Sequence, residues 1–154
     1  MIDVILEDAA WEDAEPRAAA LAEIAATAVL MHERAAERLG DRDIAILLAD
    51  DARVAALNAA FRGKAAPTNV LSFPAAAGAA EFGDVALAFG VCAREASEQG
   101  KSLAHHLQHL TAHGVLHLLG YDHESDAEAE AMEAKERAIL AGLGVADPYA
   151  PRTL

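Results

Sequence analysis

Cysteine is nearly absent: Cys92 stands alone in 154 residues. This excludes an internal disulfide and any multi-cysteine zinc site, and a solitary thiol in an apolar setting reads as a small buried side chain. Basic residues are scarce, 12 Lys and Arg against 25 Asp and Glu, for a formal net charge of −13. Such a surface excludes a protein that coats nucleic acid with its whole exterior. A local basic cleft on an acidic body is compatible with Arg53, Arg62, Lys64, Arg94 and Lys101, which fall mid-chain while acids crowd both ends. No long hydrophobic run exists either. The longest, AAALAEIAATAVLM from Ala18 to Met31, is interrupted by Glu23 and is too short to span a bilayer. The opening MIDVILEDAAW carries acids and no basic leader, so a cytoplasmic protein without membrane attachment is expected.

The chain does have alanine, which inflates its 54% hydrophobic content and signals helix more than bulky core. Its length suits one domain, taken as residues 1–154. Ile2–Leu6 reads as a strand, followed by a long helix from Pro16 to about Leu39 ended by Gly40. Ile44–Asp50 is a continuous apolar run suited to a strand covered on both faces, and Asp51 caps a helix through Ala60. Thr68–Phe73 and Asp84–Phe89 read as neighbouring strands. Helical patterns cover Val91–Gly100, Leu103–Leu119 and Ser125–Leu140, with Gly120 and Gly142 closing the last two. There is no internal repeat, and DPYAPRTL reads as a frayed tail. The fold class is α+β, about four strands in a mixed sheet packed with about five helices.

The stretch HGVLHLLGYDH, His113 to His123, carries the chemistry. On a helix, His113 and His117 project from one face a turn apart, Gly120 permits a left-handed turn, and His123 returns to the same point. Three neutral imidazoles hold zinc with one position open to water, the layout of a hydrolytic site. Metzincin proteases share the spacing but place glutamate directly after the first histidine. Here that residue is Gly114, which takes no proton, so peptide hydrolysis is disfavoured. His105 and His106 read as packed core residues. His109 reads as a non-ligand, and Asp122 as either a turn cap or an orienting carboxylate. Tyr121 reads as packing at the turn.

HGVLHLLGYDH also resembles the signature of the YbeY family of metal-dependent endoribonucleases. LNAAFRGKAAPTNVLSFP, Leu57 to Pro74, resembles that family's upstream motif, and FGDVALA, Phe82 to Ala88, its next strand. The resemblance implies a zincin-like α+β fold and a role in ribosomal RNA maturation, notably at the 3′ end of the small-subunit RNA, and in ribosome quality control. Carried over by position, the metal-binding histidines are His113, His117 and His123, and the functionally important arginine is Arg62. Asn69 departs from the family's usual aspartate and is given no acid-base role.

Arg62 has a chemical rationale of its own, because a guanidinium is permanently charged and forks onto phosphate oxygens. Lys64 is a further candidate phosphate contact. Thr68 is expected to fix a turn and Ser72 to be locally satisfied. The leading expectation is an endoribonuclease directed at single-stranded RNA, with one Zn2+ per chain, ribosomal RNA as substrate and the small ribosomal subunit or its proteins as partner. The base is open among metal-bound hydroxide, His109, Asp122 and the substrate's 2′-hydroxyl. Few aromatics, Phe61, Phe73, Phe82, Phe89 and Tyr121, lie near the cleft segments, so weak sequence specificity is expected. A ribosome-assembly factor with a mainly structural metal is the alternative, and a zincin-type metallopeptidase a weaker one.

Overall fold

A computed structural model describes residues 1–63, 68–76 and 78–150. Four strands, β1 (Ile2–Leu6), β2 (Asp43–Ala49), β3 (Val70–Pro74) and β4 (Glu81–Ala88), form one sheet in the order β1-β2-β4-β3. β1 and β4 flank β2 in parallel, whereas β3 runs antiparallel to β4 at the edge. The mixed sheet and the α+β class agree with expectation.

The alternation of side chains divides the core between two faces. Ile44, Ile46 and Leu48 of β2 and Val85 and Leu87 of β4 point to one face. There they meet Leu21, Ala26 and Val29 of α2 (Ala18–His32) and Leu107, Val115 and Leu116 of α6 (Leu103–Leu118). The opposite face presents small residues, Ala49, Ala86 and Ala88, with Leu71, beneath Val54 of α4 (Asp51–Arg62). β2 is thus covered on both sides, as its unbroken apolar run requires. Met132, Ile139 and Leu140 of α7 (Asp126–Gly142) complete the larger core. Cys92 is fully buried at the start of α5 (Phe89–Glu98), and burial pushes its thiol pKa up, consistent with an inert packed residue.

Seven helices occur among the described residues, against about five expected. The extra two are short, and one of them comes from a division of the predicted Pro16–Leu39 helix. α2 stops at His32 and α3 (Ala36–Leu39) follows. The break is a Schellman turn: Arg34 N–H donates to Met31 O at 3.2 Å and Ala35 N–H to Leu30 O at 3.0 Å. Its left-handed residue is Arg34, at φ 52°, so no glycine marked it in the sequence. The other extra helix, α1 (Ala10–Ala14), is fixed by buried Trp11, whose Nε1 donates to Ala49 O at 2.9 Å and whose ring meets Phe89 edge-on.

Three terminal assignments also shift. Asp50, not Asp51, caps α4 by accepting from the Arg53 amide at 2.7 Å, while Asp51 reaches the Val91 amide at 3.1 Å. Gly142 lies inside α7, and Gly144, at φ 76°, makes the closing turn. The tail is docked through Ala150: Asp147 ion-pairs with Arg137 and accepts the Tyr149 amide at 2.8 Å.

Candidate metal centre

The last two turns of α6 carry His113 and His117 on one face, and the helix ends in a second Schellman turn. Gly120 N–H donates to His117 O at 3.0 Å and Tyr121 N–H to Leu116 O at 3.1 Å, with Gly120 at φ 103°. The reversal returns His123 to the helix face. One ligand atom from each of His113, His117 and His123 lies within 4.8 Å of the others. The Nε2 atoms of His113 and His117 are 3.1 Å apart, near the about 3.3 Å that two nitrogens of a tetrahedral zinc site subtend. The donor set and its spacing therefore fit a metal ion.

Protonation favours the same outcome. Burial, and then the neighbouring His113 and His123, hold the His117 pKa below the usual imidazole value, leaving the ring neutral as a ligand must be. His113 turns its Nδ1 to Glu136 Oε1 at 3.2 Å. A proton on Nδ1 leaves Nε2 with its lone pair towards His117.

Glu136, from α7, is wholly buried and also accepts from His109 Nε2 at 2.8 Å and the Tyr149 hydroxyl at 3.0 Å. Burial works to raise its pKa, but the hydrogen bonds from His109 and His113 outweigh it and leave a carboxylate with a pKa of about 2. Neither Glu136 nor Tyr149 was singled out from sequence. The available signal was a carboxylate in the apolar stripe Met132, Glu136, Ile139, Leu140. His109 faces this carboxylate and lies outside the triad, as expected of a non-ligand.

The triad opens onto a cleft of about 510 Å³ lined also by Arg62, Thr68, Asn69, Ser72, Tyr121 and Asp122. Arg62, the last residue of α4, is exposed at this rim, so the structure brings together all four residues singled out from sequence. Of the mid-chain basic residues, Arg62 alone among those described lines the cleft. Arg53 pairs with Glu7 at 3.3 Å, and Lys64 lies outside the described residues. Tyr121 is the one Phe, Tyr or Trp among the described residues that line the cleft. Asp122 Oδ1 accepts the His123 amide at 2.8 Å, which supports the turn-cap reading. Ser72 Oγ donates to Gly114 O at 2.8 Å, so its hydroxyl is satisfied across the contact between β3 and α6 and not locally as expected. His106 is buried and bonded to Glu95 at 3.0 Å, but His105 is exposed, contrary to its assignment to the core, because it faces away from the sheet one residue earlier.

Two departures from related patterns acquire causes. Gly114 is where α6 presses on the sheet: a Cβ there would meet Val85 Cγ1 at 2.7 Å and Ser72 Oγ at 3.2 Å, so the protease glutamate has no room. Asn69 donates from Nδ2 to Glu95 Oε1 at 3.0 Å, where an aspartate would set two carboxylates together.

A family model described as Endoribonuclease YbeY matches residues 6–144. The chain belongs to the YbeY family. It is 55% identical over 123 residues to the Endoribonuclease YbeY of Rhodopseudomonas palustris strain BisB5, an alignment spanning 72% of this chain and 63% of that relative. Against the Endoribonuclease YbeY of Paracoccus denitrificans it is 48% identical over 167 residues, covering 96% and 89% of the two chains. The solution structure of a Thermotoga maritima protein superposes with a TM-score of 0.58 at 24% identity, covering 98% of this chain and all of that one. That likeness concerns the fold alone, and the α+β architecture is shared across it. No helix among the described residues is long and apolar enough to cross a membrane.

Proposed function

We propose that this YbeY-family chain is a zinc-dependent endoribonuclease acting on single-stranded RNA, working as one domain over residues 1–154. The observation that carries the reading is the convergence of His113, His117 and His123 with Arg62 on one cleft. The curated relatives share the printed name Endoribonuclease YbeY. Ribosomal RNA, in particular the 3′ end of the small-subunit RNA, is the proposed substrate, with the small ribosomal subunit or its proteins as partner and the cytoplasm as location.

The three histidines would hold the ion. Bound there, zinc supplies a Lewis acid that polarises a phosphoryl oxygen and acidifies water. Arg62 clamps the scissile phosphate bidentately and offsets charge gathering on its oxygens. Glu136 holds His113 in the ligating tautomer, and Tyr149 and His109 hold Glu136. Among the side chains considered as base, Asp122 lines the cleft and His109 does not. Asp122 therefore takes the proton of the attacking water in this scheme; on the alternative route the substrate's own 2′-hydroxyl is the nucleophile, gives its proton to Asp122, and the 5′-oxygen of the next nucleotide leaves. A cleft open at its rim admits an unpaired strand and offers one aromatic, in keeping with weak sequence preference.

The test compares cleavage of a single-stranded ribosomal RNA fragment by wild type and Arg62→Glu at equal metal content. Loss of cleavage in the variant is expected. Equal cleavage by both would mean either that Arg62 takes no part in the reaction or that the activity is a contaminant's, and would favour the ribosome-assembly-factor reading.

A further inference from the structure

A second hollow of about 300 Å³ adjoins the metal cleft and shares Gly120 and Tyr121 with it; its other walls include Glu33, Arg34, Arg38 and Leu119. Two guanidiniums thus stand beside the turn that delivers His123. Arg38 Nη1 donates to Leu119 O at 2.7 Å, which fixes that side chain against the turn. Arg34 is exposed and, among the described residues, makes no side-chain hydrogen bond or ion pair. Glu33 brings the opposite charge, but it is engaged by Lys135 at 3.1 Å and by Tyr121 and His32. Arg34 and Arg38 both line the hollow, the Arg38 guanidinium anchored on Leu119 O and lying over the Phe82 ring, 5.6 Å from its centroid.

The backbone adds an independent observation. Arg34 fills the left-handed position of the turn ending α2, at φ 52°, and is the one residue other than glycine with positive φ in the described chain. Glycine adopts that conformation without steric cost and is the usual occupant. An arginine held there at the expense of stability, in a chain of net charge −13, points to a use for its side chain.

We propose that Arg34, with Arg38, forms a second phosphate subsite that grips the RNA backbone next to the scissile phosphate, so that the strand passes from Arg62 across the Gly120–Tyr121 turn. The proposal rests on the nuclease reading and extends it with a direction for the strand. The ligand is a phosphodiester of single-stranded RNA, bound through charge and without regard to base identity.

Arg34→Gly tests it, because this change removes the guanidinium while relieving the backbone. The holoprotein should keep or raise its Tm and bind a dinucleotide, which reaches the histidine cleft alone, as wild type does. Its affinity for a labelled single-stranded oligonucleotide spanning both clefts should fall about five-fold, and the slope of log K against log salt should flatten by about 0.7, the value for one lost single-strand phosphate contact. Unchanged affinity and slope for the long strand, with wild type binding it, would overturn the subsite alone. Failure of wild type to bind single-stranded RNA would overturn the nuclease reading along with it. Weakening of the dinucleotide as much as the long strand would also refute the subsite, as would competition by inorganic phosphate that is lost in Arg34→Gly without any change in RNA affinity, which marks a free-anion pocket.

Discussion

Glu136 Oε1 accepts from Nδ1 of His113 at 3.2 Å, from a position on α7 that is 23 residues further along the chain and fully buried. Carboxylates behind ligating histidines fix the ring and raise its basicity, and removing one typically costs about 10–100-fold in metal affinity. Glu136→Gln, close in shape but neutral, is expected to raise the zinc dissociation constant by about that factor, measured by competition with a chelating dye. Thermal unfolding of the metal-free variant gives the cost to the fold separately. Unchanged zinc affinity would reduce Glu136 to a packing role.

Gly114 sits against Val85, whose Cγ1 would lie 2.7 Å from an added Cβ. Gly114→Ala is expected to destabilise the protein, since overpacking of about 1–3 kcal/mol exceeds the about 1 kcal/mol gained in helix propensity. Urea unfolding measures the difference. Gly114→Glu should lose the fold before it gains any peptidase activity. A stable glutamate variant would show that α6 can move off the sheet.

Glu33 titrates below the ordinary carboxylate range. Burial acts to raise its pKa, but hydrogen bonds from Tyr121, His32 and Lys135 outweigh it. A depressed native pKa stabilises the fold above the unfolded value and loses that contribution as pH falls through the native one. Glu33→Gln should therefore be less stable than wild type at neutral pH, with the gap closing below about pH 4. Unfolding midpoints across that range check it, and a gap independent of pH would show that the charge on Glu33 contributes nothing.

Local geometry explains why the triad was legible in the sequence. Spacing by four on a helix and a glycine at the reversal fix where His113, His117 and His123 point, whatever lies elsewhere. Arg62 needed the family motif, because nothing local distinguishes it from any exposed arginine. The split of the predicted Pro16–Leu39 helix was hidden because its left-handed residue is Arg34. α1 was hidden too, since its anchor is a hydrogen bond from Trp11 to Ala49, 38 residues away.

By itself, then, the sequence determined the α+β pattern, the strand alternation that divides the core, and a three-histidine metal motif, all consequences of short-range periodicity and turn chemistry. Tertiary structure alone decided that Glu136 and Tyr149 stand behind His113, that Gly114 leaves no space for a catalytic glutamate, and that Arg34 and Arg38 line the hollow adjoining the cleft. Each of these depends on contacts between elements distant in the chain, which residue spacing does not encode and which only the packing of α2, α3, α6 and α7 with one another and with the sheet brings about.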